Sequence, residues 1–278
     1  MKQLKLKAPA KINWFLRITG LRENGYHELS MLMQTVDLFD ELTISEAGSD
    51  SLIVDGVCSP EPEKNLIMRA LSSLNRYTNK SLHARFELTK RIPARAGLGG
   101  GSSDCACALI GLNQLYDLNL TEYELSALAL SLGADVPFFL QGGLCRVCGI
   151  GEKVQKLKFA PRAHLLIKHV EPGLSTLDVY RRYDEKHLSD PAFDEEAFLS
   201  GLKRGCFDKL TPHNALEAPA MDLLSGITDT KQSMYDEGAL YALMSGSGSA
   251  VYGVFQDEKS ALKASERIPS SIFAHTIA

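Results

Sequence analysis

A glycine-rich segment, Pro93 to Asp104, carries residue types suited to holding a phosphate group. Its sequence is Pro-Ala-Arg-Ala-Gly-Leu-Gly-Gly-Gly-Ser-Ser-Asp. Glycine lets a backbone approach an anion closely and adopt positive φ angles, and the paired serines add hydroxyl donors. An alternating stretch before it, 83–89, predicts a strand, and an apolar stretch after it, 105–115, predicts a helix. Backbone N–H groups at such a strand–loop–helix junction can bind phosphate.

Two common phosphate loops do not match this segment. A Walker A loop ends in Gly-Lys-Ser or Gly-Lys-Thr, and no lysine follows these glycines. The fingerprint Gly-x-Gly-x-x-Gly fails because, counted from Gly97, its last position is Ser102. A flexible loop without a ligand is the alternative, but the flanking elements and the serines favour a phosphate site. We expect Ser102, Ser103 or Asp104 to cap the helix.

Two charged residues are candidates for the chemistry of phosphoryl transfer, which depends mainly on positioning and electrostatics. Asp135 lies on a constrained turn between Gly133 and Pro137, and it is a candidate general base. The alternative is that it caps the helical segment after it. Lys11 begins an apolar strand and is a candidate charge stabiliser, with a solvated lysine at a strand end as the alternative.

Two further segments could contact a ligand. Tyr26 and His27 follow an Asn-Gly turn, and such a pair can stack on a planar group and hydrogen-bond to it. The alternative is a structural histidine. A second glycine turn, Ser245–Ser249, is predicted between two strands, and we expect it to lie against the first loop. The alternative there is a plain hairpin.

Composition limits the class of protein. Hydrophobic residues make up 45% of the 278 positions and charged residues 23%, which is typical of a soluble globular chain. The net charge of −4 gives no sign of general nucleic-acid binding. No apolar leader or membrane-spanning run is present, so we expect a cytoplasmic protein without a membrane partner.

Six cysteines leave two interpretations. They stand at positions 58, 105, 107, 145, 148 and 206. Reduced thiols in the core of a cytoplasmic protein are the favoured interpretation. The alternative is a zinc site that combines Cys145 and Cys148 with Cys105 and Cys107. A helix would point the last two side chains apart, which argues against that site.

The hydrophobic pattern predicts an α+β chain. Strands are expected at 3–20 in two pieces separated by Ala8-Pro9-Ala10, and at 28–39, 41–46, 51–54, 82–89, 144–149, 165–168, 240–244, 250–255 and 272–277. Helices are expected at 65–77, 105–116, 122–132, 175–187, 195–204, 214–224, 231–237 and 257–267. A capping box at Thr121 and Glu124 starts the third helix, and Gly133 ends it. A polar stretch containing Pro161 predicts a domain boundary near 158.

Three separated motifs together resemble the GHMP kinase superfamily. They are Ala8-Pro9-Ala10-Lys11-Ile12-Asn13, the segment from Pro93 to Ser103, and Ser245–Ser249. The resemblance implies a two-domain α+β fold, with an N-terminal ATP-binding α/β domain at 1–158 and a C-terminal ferredoxin-like α+β domain at 159–278.

Within the superfamily, three segments resemble a branch that acts on a cytidine-diphosphate-linked methylerythritol. They are Gly20–Leu29, Gly133–Phe139 and Gly149–Glu152. The resemblance implies ATP-dependent phosphorylation of the 2-hydroxyl of that small molecule, in the non-mevalonate route to isoprenoids, with Mg²⁺ accompanying ATP. Small-molecule substrate and ATP would be the only partners, and either a monomer or a weak homodimer fits.

The resemblance also implies roles for individual residues. Asp135 would be the base, and Lys11 would keep it ionised and stabilise charge at the attacking oxygen. Tyr26 would stack on the cytosine and His27 would hydrogen-bond to it. Substrate contacts are also implied for Asn13 and Thr176. The implied ATP phosphate loop consists of Pro93, Ala94, Arg95, Ala96, Gly97, Leu98, Gly99, Gly100, Gly101, Ser102 and Ser103.

The match leaves several points open. No metal ligands are assigned, although Ser102 and Ser103 are candidates. Arg95 replaces a small residue and could reshape the loop or contact phosphate, and Trp14 replaces an aliphatic residue and could narrow the acceptor pocket. Two other functions remain: a GHMP kinase for homoserine, mevalonate or a sugar, and a non-catalytic ligand sensor. Retention of both Lys11 and Asp135 argues against a sensor.

Overall fold

The computed structural model describes residues 2–56 and 64–278. The chain folds into two compact units. The first unit comprises Met1–Ala10, Leu38–Ala94 and Gly99–Gly142, and the second comprises Lys11–Asp37, Arg95–Leu98 and Gly143–Ala278. Two long strands that are neighbours in one sheet, β1 (Gln3–Leu21) and β2 (His27–Glu46), run through both units. The expected boundary near 158 stays a prediction.

The described residues of the first unit form one edge of a sheet and four helices. Strand β3 (Ser51–Gly56) lies parallel to β4 (Ala84–Lys90), which pairs antiparallel with the second half of β2. The helices are α1 (Leu66–Thr78), α2 (Gly100–Leu115), α3 (Glu122–Leu132) and α4 (Val136–Gln141). Helix α2 packs against the other three, so its start, which follows the glycine loop, is held by the whole helical layer.

Local signals account for the ends of these helices. Asn65 caps α1 by accepting a hydrogen bond from the Ile67 N–H, as its residue type favours. The predicted capping box of Thr121 and Glu124 is present at the start of α3. The predicted helices at 65–77, 105–116 and 122–132 are therefore confirmed to within a few residues.

The second unit contains strands of two sheets. Strand β5 (Leu144–Gly149) pairs antiparallel with the first half of β2 and with β6 (Lys153–Lys156), and β8 (His213–Asn214) lies parallel to β1. A separate antiparallel sheet has the order β11 (Ser271–His275), β7 (His164–Lys168), β10 (Val251–Phe255), β9 (Tyr241–Met244). The helices are α5 (Thr176–Glu185), α6 (Glu195–Lys203), α7 (Glu217–Leu223), α8 (Gly226–Asp236) and α9 (Glu258–Ser265). This arrangement agrees with the expected α+β class.

The predicted break in the first strand is wrong. Residues 3–21 form one strand, with Pro9 inside it. Proline lacks an N–H group and is tolerated in a strand where no partner needs that donor. Strand β8 pairs with β1 only at Phe15 and Leu16, so the side of β1 away from β2 has no such ladder at Pro9. The strands predicted at 28–39 and 41–46 are likewise one strand, β2.

The sequence pattern did not predict two short strands. Asn214, predicted as the first residue of the helix at 214–224, forms β8 together with His213, and the helix begins later, at Glu217. Strand β6 has one half-buried residue, Val154, among exposed ones, so it shows no apolar alternation. No helix within residues 2–56 and 64–278 is long and apolar enough to cross a bilayer.

Candidate active site

Lys11 lies inside the protein rather than at a solvated strand end. Its relative exposure is 3%, and its Nζ donates a hydrogen bond of 2.6 Å to Asn13 Oδ1. The two residues are two positions apart on β1, so their side chains share one face of the strand. Burying an ammonium group is costly unless it is paired or hydrogen-bonded. The solvated-lysine alternative is therefore wrong.

The middle of the glycine loop, Arg95–Leu98, is fixed through its carbonyl groups. The N–H groups of Leu174, Ala250 and Lys11 donate to the carbonyl oxygens of Arg95, Ala96 and Leu98 at 3.3, 3.0 and 3.0 Å. The Ser245 hydroxyl donates to the Gly97 carbonyl at 3.0 Å. Every carbonyl of this segment thus has a donor, so the loop is an ordered element and not a flexible one.

This arrangement prepares the loop for an anion. In a trans peptide the N–H points away from the preceding C=O. Since the carbonyls of residues 95–98 are bonded to the protein, the amides of 96–99 face the other way, and none of them has an acceptor among the described residues. Positive φ angles at Arg95, Gly97 and Gly99 (54°, 72° and 72°) alternate along the segment. Alternating left-handed residues are typical of an anion-binding nest, in which successive N–H groups point toward one site.

The second glycine turn touches the first, as expected. A Cβ at Gly97 would lie 2.0 Å from the Ser245 carbonyl oxygen, and one at Gly246 would lie 2.8 Å from Lys11 Nζ. Both positions also have positive φ angles. Glycine is therefore required twice, once to bring the loops together and once to leave room for the buried ammonium group. Asn214 holds this turn by donating to the Gly246 carbonyl at 2.8 Å.

The start of helix α2 differs in detail from the prediction. Gly99 occupies the N-cap with a left-handed backbone, and no serine side chain caps the helix. Ser103 instead lies in the first turn, where its N–H bonds to the Gly99 carbonyl at 2.9 Å. Its hydroxyl is fully buried and has no partner among the described residues. No side chain of the N-cap bonds to the first N–H groups of this helix, and such uncapped N–H groups can bind an anion.

An ion trio that the sequence did not indicate fixes both ends of the loop. Asp40 accepts hydrogen bonds from the N–H groups of Arg91 and Ile92 at 2.5 and 2.9 Å, just after β4. Lys90 bridges Asp40 to Asp104, which lies in the second turn of α2. Asp40 is one of several acidic residues of β2, among them Asp37 and Glu41, so no local pattern marks it as the partner of Lys90.

Charge and burial compete within this trio. Burial raises the pKa of Asp104 to about 7, although the Lys90 charge lowers it. Burial also acts to lower the pKa of Lys90, but Asp104 and Asp40 outweigh burial and raise it. Lys90 therefore stays protonated, and Asp104 titrates near neutral pH.

Asp135 occupies the N-cap position of α4, but its side chain makes no capping hydrogen bond. The carboxylate is half-buried. Gly133, two residues earlier, approaches Ser102, whose Oγ would lie 4.0 Å from a Cβ built at that glycine. The turn before Asp135 therefore lies beside the start of α2, within the same unit. Asp135 therefore stands at the N-cap position, as the capping alternative expects, but its carboxylate does not make the capping hydrogen bond.

The candidate substrate residues fall into two groups in the second unit. Tyr26 is 60% exposed. His27 stacks on Tyr180 with ring centroids 5.0 Å apart, and its Nε2 lies 2.9 Å from Asp184 Oδ1. Thr176 is bonded through its hydroxyl to the Ser247 hydroxyl at 2.8 Å, which links it to the second glycine turn.

Trp14 does not narrow an acceptor pocket at Asn13. It is fully buried, its indole N–H donates to Gln34 at 2.8 Å, and its ring stacks on Phe207. Consecutive strand residues point to opposite faces, so Trp14 packs away from the face that holds Lys11 and Asn13. The buried amide nitrogen of Asn13 keeps a donor without a partner among the described residues.

Two of the described cysteines, Cys105 and Cys145, are buried in the core, and Cys107, Cys148 and Cys206 are half-buried. The five in the described part of the chain form no disulfide bond, and Cys58 lies outside it. Burial raises the pKa of Cys105 and of Cys107 to about 12, so both stay protonated. Among residues 2–56 and 64–278, no cluster of metal-ligating atoms includes a cysteine, which contradicts the zinc alternative.

Two family models match the chain. The model of the GHMP kinases N terminal domain covers residues 65–143, which include the glycine loop and Asp135. The model of the GHMP kinases C terminal domain covers residues 192–274, which include the second glycine turn. The chain belongs to the GHMP kinase family. Lys11 and Asn13 lie before both matched segments, so their assignment rests on the motif and the geometry.

Similar proteins within this family carry one name. A 4-diphosphocytidyl-2-C-methyl-D-erythritol kinase from Caldicellulosiruptor bescii is 40% identical over 95% of this chain and 94% of its own. One from Lachnospira eligens is 37% identical over 94% and 91%. A crystal structure of 4-(cytidine 5'-diphospho)-2C-methyl-D-erythritol kinase is 34% identical, with a TM-score of 0.85 and coverage of 99% and 100%.

The wider GHMP kinase fold is also recognisable. A homoserine kinase from Cytophaga hutchinsonii superimposes over 100% of this chain and 96% of its own with a TM-score of 0.72. Because the two sequences are only 20% identical, this similarity shows a shared fold and nothing about function. The expected fold class and kinase family are therefore confirmed.

Proposed function

We propose that this GHMP kinase transfers the γ-phosphoryl group of ATP to the 2-hydroxyl of 4-diphosphocytidyl-2-C-methyl-D-erythritol. The observation that carries the proposal is its 40% identity to a kinase of that name over 95% of the chain. The buried Lys11–Asn13 pair and the Asp135 turn give that reaction the groups it needs. The reaction would supply a phosphorylated intermediate to the non-mevalonate isoprenoid route.

The ATP phosphates bind along Pro93–Ser103 in this proposal. The N–H groups of residues 96–99 have no protein acceptor in the described chain, and the first turn of α2 adds further donors. The buried, unpartnered hydroxyl of Ser103 fits an anion or its counter-ion. Arg95, whose side chain is exposed, adds a cation beside the loop.

Mg²⁺ is proposed to accompany ATP. The hydroxyls of Ser102 and Ser103 are the oxygen donors at the helix start, and hard oxygen ligands suit this ion. When bound, it neutralises charge on the β and γ phosphate oxygens. Proton acceptance and charge stabilisation at the attacking oxygen are assigned to side chains of the protein.

Asp135 acts as the general base in this proposal. Its carboxylate has no capping bond and accepts the proton of the acceptor hydroxyl as the oxygen attacks phosphorus. Lys11 stabilises the negative charge that develops at the attacking oxygen. Asn13 orients Lys11 through its Oδ1 and offers its unpartnered amide N–H₂ to the substrate.

The cytidine end is assigned to Tyr26 and His27. The exposed ring of Tyr26 offers a face for stacking. The Tyr180 ring and Asp184 fix the His27 imidazole, so a hydrogen bond from it comes with little loss of entropy. Thr176, whose hydroxyl is hydrogen-bonded to that of Ser247, is assigned a further contact with the substrate. We also place the reaction in the cytoplasm, where free thiols persist.

An ADP-release assay with a panel of acceptors tests this function. The purified chain is given Mg-ATP with the cytidylyl acceptor, homoserine, mevalonate or galactose. We expect turnover on the cytidylyl compound alone. Turnover on another acceptor would overturn the assignment of Tyr26 and His27 while leaving a kinase. ATP binding without turnover on any acceptor would favour a ligand sensor.

A further inference from the structure

Three potential ligand side chains meet at one end of the four-stranded sheet, all in the second unit. His164 on β7 and His275 on β11 are direct cross-strand neighbours, with ring centroids 5.2 Å apart. Glu258 begins α9, which packs over the same strands. One ligand atom from each of the three residues lies within 4.8 Å of the others. These residues are called the His–His–Glu cluster below.

The cluster has polar atoms that the described chain does not satisfy. His164 Nδ1 and His275 Nε2 are shielded from solvent and have no hydrogen-bond partner there. A buried imidazole nitrogen without a partner loses its hydration without compensation. His275 Nε2 lies 4.0 Å from Glu258 Oε2, which is too far for a hydrogen bond. A bound cation would satisfy these atoms.

Asp37 prepares His275 to act as a ligand. Its carboxylate accepts from His275 Nδ1 at 3.0 Å and from the His275 backbone N–H at 2.5 Å. A neutral imidazole that donates from Nδ1 carries its lone pair on Nε2, which is the atom in the cluster. Metal-ligating histidines have this carboxylate–histidine arrangement, which fixes the ring and raises its basicity.

We propose that the His–His–Glu cluster binds a divalent transition metal, with Zn²⁺ as the preferred ion. Two imidazoles with one carboxylate favour zinc over Mg²⁺ or Ca²⁺, which prefer oxygen ligands. Tetrahedral bonds of about 2.0–2.1 Å place ligand atoms roughly 3.3 Å apart. The Glu258 side chain is 59% exposed, so it can move inward from 4.0 Å, and water can take the fourth position.

The metal would tie β7, β11 and α9 together. This role is separate from the Mg²⁺ that accompanies ATP, because none of the residues involved belongs to the glycine loops, to Lys11 or to Asp135. The inference therefore goes beyond the proposed kinase activity and does not depend on it.

Zinc binding to the tag-free full chain tests the site by calorimetry. We expect one Zn²⁺ per chain, weakened about 10–100-fold by Asp37→Asn and weakened further by His164→Ala. Glu258→Gln also weakens binding and, as an exposed change, leaves the fold intact. His83→Ala is the matched control, because His83 also pairs with a carboxylate, that of Asp50, and should leave zinc affinity unchanged.

Cobalt substitution checks the ligand type. Co²⁺ held by imidazole and carboxylate gives visible d–d bands without a strong near-ultraviolet thiolate band. A thiolate band would assign the metal to cysteines and overturn the site. So would undetectable zinc binding, or binding that survives both His164→Ala and Glu258→Gln.

Discussion

The 2.6 Å hydrogen bond from Lys11 Nζ to Asn13 Oδ1 places a buried ammonium group directly beneath Gly246. The same strand receives the glycine loop, because the Lys11 N–H donates to the Leu98 carbonyl. Backbone and side chain of one residue thus connect the phosphate loop, the second glycine turn and the proposed acceptor contact of Asn13. This connection explains why three motifs far apart in the sequence occur together.

Gly246→Ala should impair catalysis by displacing Lys11. The new methyl group would meet Nζ at 2.8 Å on a backbone with φ of 57°. We expect kcat to fall by about tenfold or more, because the loss of one group that stabilises transition-state charge lowers kcat by more than tenfold. Gly238→Ala is the control, since Gly238 has φ of 94° and no neighbour within 4 Å. It should lose stability through backbone strain but keep kcat. Equal kcat in the two variants would contradict the role of Lys11.

Ser103→Ala should separate ATP binding from stability. The hydroxyl is buried without a partner in the described chain, so its loss removes no protein hydrogen bond. We expect an unchanged or slightly higher free energy of unfolding, and a KM for ATP raised about tenfold through the loss of a hydrogen bond to a charged group. Steady-state kinetics and urea unfolding measure the two effects. A destabilised variant with normal ATP kinetics would show that Ser103 is structural.

His27→Ala should weaken the cytidylyl substrate far more than ATP. The imidazole is held by Tyr180 and Asp184, and none of the glycine-loop contacts involves it. We expect KM for the acceptor to rise about tenfold or more, the loss of one directed hydrogen bond, with KM for ATP unchanged. An equal rise in both KM values would count against recognition of cytosine.

Asp104→Asn should change how stability depends on pH. Burial raises the pKa of Asp104 from 3.8 to about 7, so between these values the folded chain holds a proton that the unfolded chain has released. Stability from this group therefore falls as pH rises through that window. We expect the stability advantage of wild type over Asp104→Asn to be smaller at pH 8 than at pH 5. Urea unfolding at both values measures it, and a constant difference would show that the carboxyl titrates elsewhere.

Local patterns predicted the parts of this molecule that depend on neighbouring residues. The capping box at Thr121 and the glycine turns follow from short-range rules, and the contact between the two turns was expected from their composition. The trio of Asp40, Lys90 and Asp104 was missed, because it joins residues 50 and 14 positions apart. No local pattern encodes such an ion pair.

Two other differences also have long-range causes. Proline would break a strand that is hydrogen-bonded to partners on both sides. Strand β8 does not pair with β1 at Pro9, so the strand continues through this residue. Trp14 was expected near a ligand because it adjoins Asn13. Its ring lies in the core instead, because side chains alternate along the strand and because aromatic rings from distant elements pack against it. Both outcomes depend on which strands pair, which the sequence pattern alone does not fix.

Turnover of Asp135→Asn with Mg-ATP and the cytidylyl acceptor is the sharpest test of the proposed mechanism. If Asp135 accepts the proton of the hydroxyl, kcat should fall at least ~10²-fold, the scale for a positioned acid–base group. Binding of ATP, measured by calorimetry, should persist, because the phosphate loop is untouched. Near wild-type turnover would contradict the assignment of Asp135 as the base. Loss of ATP binding would contradict a role of Asp135 that is confined to the acceptor hydroxyl.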